Sequence, residues 1–184
     1  MTSCCLTATF TRHRGANDHV HVTRTDGTST EWEFPSYGDA VPHDLIHLVV
    51  ERGLGMTDGF WGLIDGGANV VMVGDQAVLS RNGEPLKPPD VDFSGLVQAE
   101  EAVALLGPKP ALETVGQITI ARLDPGSFTP PAPGDTVTHL GFQLPDGTTA
   151  EAIAEIQRQL RELTQQWREP GHEPITLSWF SRRM

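Results

Sequence analysis

Asp18-His19-Val20-His21-Val22-Thr23-Arg24-Thr25-Asp26-Gly27-Thr28-Ser29-Thr30-Glu31-Trp32-Glu33-Phe34 reads as a complete β-hairpin. Val20 and Val22 fall on one face of the first strand, and His19, His21 and Thr23 on the other. Asp26-Gly27 is a strong hairpin turn. Beyond it Thr30, Trp32 and Phe34 alternate with Glu31 and Glu33, so the outer face can pair His19 or His21 with Glu31 or Glu33 across the strands. Upstream, Leu6, Ala8 and Phe10 alternate with Thr7, Thr9 and Thr11, which adds a strand before the Arg14–Asp18 loop. Ile175, Leu177 and Trp179 alternate with Thr176 and Ser178 at the far end of the chain, a last strand most simply added to the same sheet. The fold expected is α+β: an antiparallel sheet of about four strands packed on one face by several helices.

The helices are read from the intervening sequence. Pro42 suits the first turn of a helix that runs to about Arg52 and stops at Gly53 or Gly55. Met56 to Gly67 holds a short aromatic helix or turn, Gly59-Phe60-Trp61-Gly62-Leu63-Ile64. From Ala68 to Pro89 the pattern is a loop with a short strand at Val70 to Val73. Leu96, Ala99, Val103 and Leu106 keep helical spacing from Ser94 to the Gly107-Pro108 stop. Ala111 to Leu123 fits helix or strand. Thr148 with Glu151 forms a capping box opening a helix whose stripe, Ile153, Ile156, Leu160, Leu163 and Trp167, continues to Arg168. The 184 residues are expected to form a single domain, with a proline-rich connecting segment near 125–134.

Composition narrows the function. The formal net charge of −11 disfavours a nucleic-acid backbone or an anionic membrane as partner, and Arg182-Arg183 is too short a basic run to reverse this. No apolar run reaches the ~18–20 residues needed to span a bilayer, and no secretory signal pattern opens the chain. Cys4 and Cys5 are adjacent, a geometry that rarely forms a disulfide. A cytoplasmic location is the expectation.

The chemistry concentrates in Pro42-His43-Asp44-Leu45-Ile46-His47-Leu48-Val49-Val50-Glu51. Leu45, Ile46, Val49 and Val50 make one helical arc, and His43, Asp44, His47 and Glu51 a polar arc opposite. Histidines four residues apart project from one face, one turn above the other, the spacing by which one helix gives two nitrogen ligands to a divalent metal such as zinc. Glu51 lies about 12 Å along the axis from His43, too far for easy convergence, and fits better as a partner orienting His47. A third ligand must then come from elsewhere; His19, His21, Asp58 and Asp65 are the candidates. The alternation that buries Val20 and Val22 turns His19 and His21 away from the helices, which counts against them.

The segment has a partial likeness to the zincin pattern H-E-x-x-H, with Asp44 where that pattern has its glutamate base. The departure shortens the base by a methylene, which weakens the case for peptidase chemistry more than the case for metal binding. Pro42-His43-Asp44-Leu45 with His47, Val50 and Glu51, followed by Gly59-Phe60-Trp61-Gly62-Leu63, also resembles a pattern of uncharacterised bacterial proteins. That resemblance covers about an eighth of the chain and implies no established activity.

These readings lead to a small metal-dependent enzyme, most plausibly a hydrolase. His43 and His47 are its metal ligands, Asp44 or Glu51 its base or orienting carboxylate, and Phe60 and Trp61 its pocket wall. The rival is a non-catalytic ligand-binding or interaction module, in which the histidines line a polar helix face and the aromatic loop of Phe60 and Trp61 is a partner or ligand surface. Phe60 and Trp61 as core anchors are the alternative reading of that loop. A metal-free acid–base site is a third reading. Substrate and oligomeric state are not encoded in any motif.

Overall fold

The computed structural model describes residues 5–13, 17–36, 38–73, 76–115, 118–124, 138–139 and 142–180. Cys4, residues 14–16 of the first loop, the 125–134 connection and Arg182-Arg183 lie outside the described residues. The main sheet has four antiparallel strands. β1 (Leu6–Thr11) lies between β2 (Asp18–Thr23) and the last strand of the chain, and β3 (Ser29–Phe34) pairs with the free side of β2.

Side-chain alternation decides which face is covered. Leu6, Ala8, Phe10, Val20 and Val22 are fully buried, with Trp32, Ile175 and Trp179 beside them. The opposite face carries Thr9 and Thr176, whose hydroxyls meet at 3.0 Å, and His19, whose Nε2 lies 3.4 Å from Glu31 Oε2. The strand histidines are therefore on the uncovered face.

α1 (His43–Leu54) follows β3. The Pro42 carbonyl accepts from the Leu45 and Ile46 amides, and Gly55, at φ 67°, supplies the left-handed turn that ends the helix. α2 (Phe60–Asp65) is the short aromatic helix. Buried Arg24 closes its C-terminal end, donating to the carbonyls of Ile64 at 2.7 Å and Ala68 at 2.9 Å.

Residues 68–89 contain the short strand expected at Val70 to Val73 and more regular structure than the expected loop around it. They hold a second antiparallel sheet of β4 (Asn69–Val73), β5 (Gln76–Arg81) and β6 (Glu84–Pro85). Asn82 and Gly83, both at positive φ, make the turn between β5 and β6. α3 (Ser94–Leu106) follows, then β7 (Lys109–Val115) paired antiparallel with β8 (Ile118–Asp124), so the described residues of the ambiguous 111–123 region are strand. β9 (Thr138–His139) and β10 (Phe142–Gln143) form a short pair. α4 (Ala150–Arg168) is capped one residue later than the capping-box reading: Thr149 Oγ1 accepts from the Ala152 amide, while Thr148 donates to the Pro145 carbonyl. β11 (Ile175–Trp179) then pairs with β1 in antiparallel register, Leu6 opposite Trp179.

α1 packs against α4, α3 and β11. The α1–α4 crossing is close: a Cβ on Gly53 would lie 2.3 Å from Ile156 Cγ1. Among the described residues no helix is long and apolar enough to cross a membrane.

Candidate metal centre

The polar arc of α1 does not face solvent along its length. His43 is exposed, but the His47 side chain is only 1% accessible and that of Glu51 0%. α2 and α3 cover the rest of the arc and bring their own polar groups to it.

From α3 comes Glu100. Its Oε2 stands 3.4 Å from His43 Nε2 and 3.4 Å from His47 Nε2, and the two Nε2 atoms are 3.1 Å apart. With metal–ligand bonds of about 2.0–2.2 Å, neighbouring ligand atoms lie about 3.3 Å apart in a tetrahedron and about 3.0 Å apart in an octahedron. The three atoms thus make a triangle of the size one ion requires, and two imidazoles with a carboxylate could hold a divalent metal.

Glu51 belongs to the layer behind. Its carboxylate can only accept, so the 3.0 Å contact with His47 Nδ1 places a proton on that nitrogen. In the neutral ring this leaves the Nε2 lone pair directed at His43 and Glu100, the arrangement metal-bound histidines require. Glu51 also accepts from the Phe60 amide on Oε1 and from the Trp61 amide on Oε2, both at 3.0 Å.

Burial shapes the titration of these groups. For His47 it opposes the charged form, yet hydrogen bonds to Glu100 and Glu51 outweigh it and lift the pKa to about 9. Hydrogen bonds from His43 and His47 hold Glu100 well below the usual carboxylate range. Burial pushes Glu51 upward, opposed by His47 and the two amides.

Asp44 takes a different position from Glu51. Trp32 Nε1 donates to its Oδ2 at 2.9 Å, and among the described residues no donor meets Oδ1. Desolvation raises its pKa against the Trp32 bond. The Asp44 carbonyl accepts from Trp61 Nε1 at 3.0 Å.

Phe60 is half-buried, its ring centroid 5.8 Å from that of His47 and 6.2 Å from that of Trp32. Trp61 is fully enclosed and packs edge-on against Phe10.

Of the residues weighed as a third ligand, none joins the triangle. His19 and His21 lie on the uncovered sheet face, and Asp65 accepts from the Thr25 amide and hydroxyl. Asp58 packs against Gly95. Sequence reasoning missed Glu100. Glu100 directly follows Ala99 of the α3 stripe, and nothing singled it out among 24 acidic residues.

Comparison with protein-family models, with curated proteins and with solved structures finds no match to the chain.

Proposed function

We propose that the protein is a metal-dependent enzyme of the hydrolase type, with a divalent ion, zinc by donor preference, held by His43, His47 and Glu100. The observation that carries this reading is the triangle of ligand atoms with edges of 3.1, 3.4 and 3.4 Å. Two nitrogens and one carboxylate oxygen suit zinc and leave coordination positions open to solvent and substrate. Held by His43, His47 and Glu100, such an ion would supply Lewis acidity.

The chain's own groups then divide the remaining work. Glu51 holds the His47 ring in the ligating tautomer, and its oxygens are occupied by three donors. Asp44 is the carboxylate with an oxygen to spare, so it is the group that accepts a proton from water or returns one to a leaving group. The indole of Trp32 fixes its orientation. Phe60, beside His47, offers an apolar wall for substrate, while Trp61 supports that wall from within the core.

A second reading has its own support. Glu100 lies within ion-pair distance of both histidines, which would join α1 to α3 without any metal. Zinc titration against a competing chelator separates the two. The metal reading expects about one zinc per chain in the wild type, lost in His43→Ala/His47→Ala and weakened about a hundredfold or more in Glu100→Gln. Chelator-sensitive hydrolysis of simple esters or amides, reduced in Asp44→Asn with zinc still bound, would support the enzyme assignment. A wild type that resists reconstitution with zinc, iron and manganese would leave only the ion-paired helix clamp.

A further inference from the structure

Glu51 connects more than one ring to one helix. The amides it accepts from belong to the first two residues of α2, and no side chain of the turn before α2 caps that helix at Gly59. A carboxylate from α1 therefore supplies the acceptor that a capping residue would otherwise provide. The turn is also held from the other side. A Cβ on Gly59 would lie 2.7 Å from Glu51 Cδ and 3.0 Å from the Cβ of Ala99, the residue of α3 that precedes Glu100. Both helices that present the ligand triangle thus clamp the start of α2, one through Glu51 and the other through Ala99. Phe60 is the first residue of the clamped helix.

We propose that Glu51 is a positioning residue that couples ion binding at His43, His47 and Glu100 to the placement of α2, so that the Phe60 ring is fixed beside the site only when the ion is held. The inference rests on the metal reading of the triangle. An ion on Nε2 immobilises the His47 ring and keeps its Nδ1–H aimed at Glu51 Oε1, the same oxygen that receives the Phe60 amide. Opening the first turn of α2 then disturbs a carboxylate already fixed by the ion. Without the ion, the ring, the carboxylate and the turn are free to rearrange together.

Amide hydrogen exchange with zinc as the probe tests this. If opening α2 requires release of the ion, free zinc at a hundred times its Kd slows exchange of the Phe60 and Trp61 amides about a hundredfold. The Val20 and Val22 amides of β2 report the ion's effect on global unfolding, which is expected whether or not α2 is coupled to the site. Glu51→Gln, with one acceptor oxygen in place of two, should abolish the zinc-induced slowing at Phe60 and Trp61. His43→Ala, which loses the ion, is the control for the site. Gly59→Ala, whose Cβ would lie 2.7 Å from Glu51 Cδ, should weaken the slowing with all three ligands in place, so the test survives if the Glu51 variant does not fold. Zinc that binds by titration but leaves both amides unchanged overturns the coupling. So does zinc that slows Phe60 and Trp61 as strongly in Glu51→Gln as in the wild type, because the ion then acts on α2 only through overall stability. Failure of zinc to bind the wild type overturns the metal reading itself and this inference with it, and the titration identifies that case separately.

Discussion

The Nε2 atoms of His43 and His47 face each other at 3.1 Å, a distance at which two ring lone pairs repel unless a proton or a cation lies between them. The two rings share this contact and the Glu100 carboxylate but differ in burial. His43 is exposed, whereas His47 is enclosed and bonded to Glu51. Their alanine variants should separate binding from stability. His43→Ala is expected to lose zinc while unfolding within about 0.5 kcal/mol of the wild type, the range for surface changes. His47→Ala leaves a buried carboxylate without its partner and is expected to cost about 3 kcal/mol. Urea denaturation in a chelating buffer measures both, and equal losses would mean that the burial difference carries no energy.

The pH response has two opposite signs. In the ion-free protein the His47 pKa is raised to about 9. A group whose pKa rises on folding stabilises the fold below its unfolded value of about 6.5, and that contribution is lost as pH climbs through about 9. Ion-free stability attributable to His47 should therefore fall between pH 7 and pH 9.5. Zinc affinity should run the other way, rising about tenfold per pH unit up to about 9, because the ion must displace that proton. Chelator competition and urea melts across this range check both, with His47→Ala as the subtraction.

Gly95 offers a perturbation that touches no ligand. A Cβ there would lie 2.4 Å from the Asp58 carbonyl oxygen and 2.3 Å from Asp58 Cγ. Gly95→Ala must push the start of α3 away from the turn before α2, and overpacking of this kind costs about 1–3 kcal/mol. Because Glu100 rides on α3, zinc affinity should fall as well, with His43 and His47 untouched. Unchanged affinity in a destabilised variant would mean that α3 flexes before it reaches Glu100.

Trp32→Phe removes the indole N–H from Asp44 Oδ2 while keeping an aromatic ring in the core. The lost hydrogen bond is expected to cost about 1 kcal/mol of stability. Zinc affinity should hold, since Asp44 lies outside the ligand triangle, while hydrolysis should slow and its pH–rate profile should shift. A variant with wild-type rate and profile would remove Asp44 from the reaction.

The main sheet was legible because its strands bury one face only. Alternation such as Leu6, Ala8 and Phe10 against Thr7, Thr9 and Thr11 has a single physical reading. The second sheet was obscured by Gly, Asn and Pro scattered over residues 68–89, although Asn82-Gly83 is itself a hairpin signal. The site was legible by half. Periodicity placed His43, Asp44, His47 and Glu51 on one arc of α1, but an arc drawn on an isolated helix does not show what lies above it. The covering α2 and α3 turned an apparently solvated face into an interior one. Glu100 approaches from 57 residues away in the chain, a separation over which no local pattern operates.

That separation has a consequence for the lifetime of the molecule. The ligand triangle exists only where α1 and α3 are packed together, so an ion bound there has no counterpart in the unfolded chain. On the proposed metal reading, each increase in available metal would draw the folding equilibrium toward the native state, by about 2.7 kcal/mol at a hundred times the Kd. Proteolytic turnover would follow the same variable, and the cellular abundance of the chain would become a readout of metal supply.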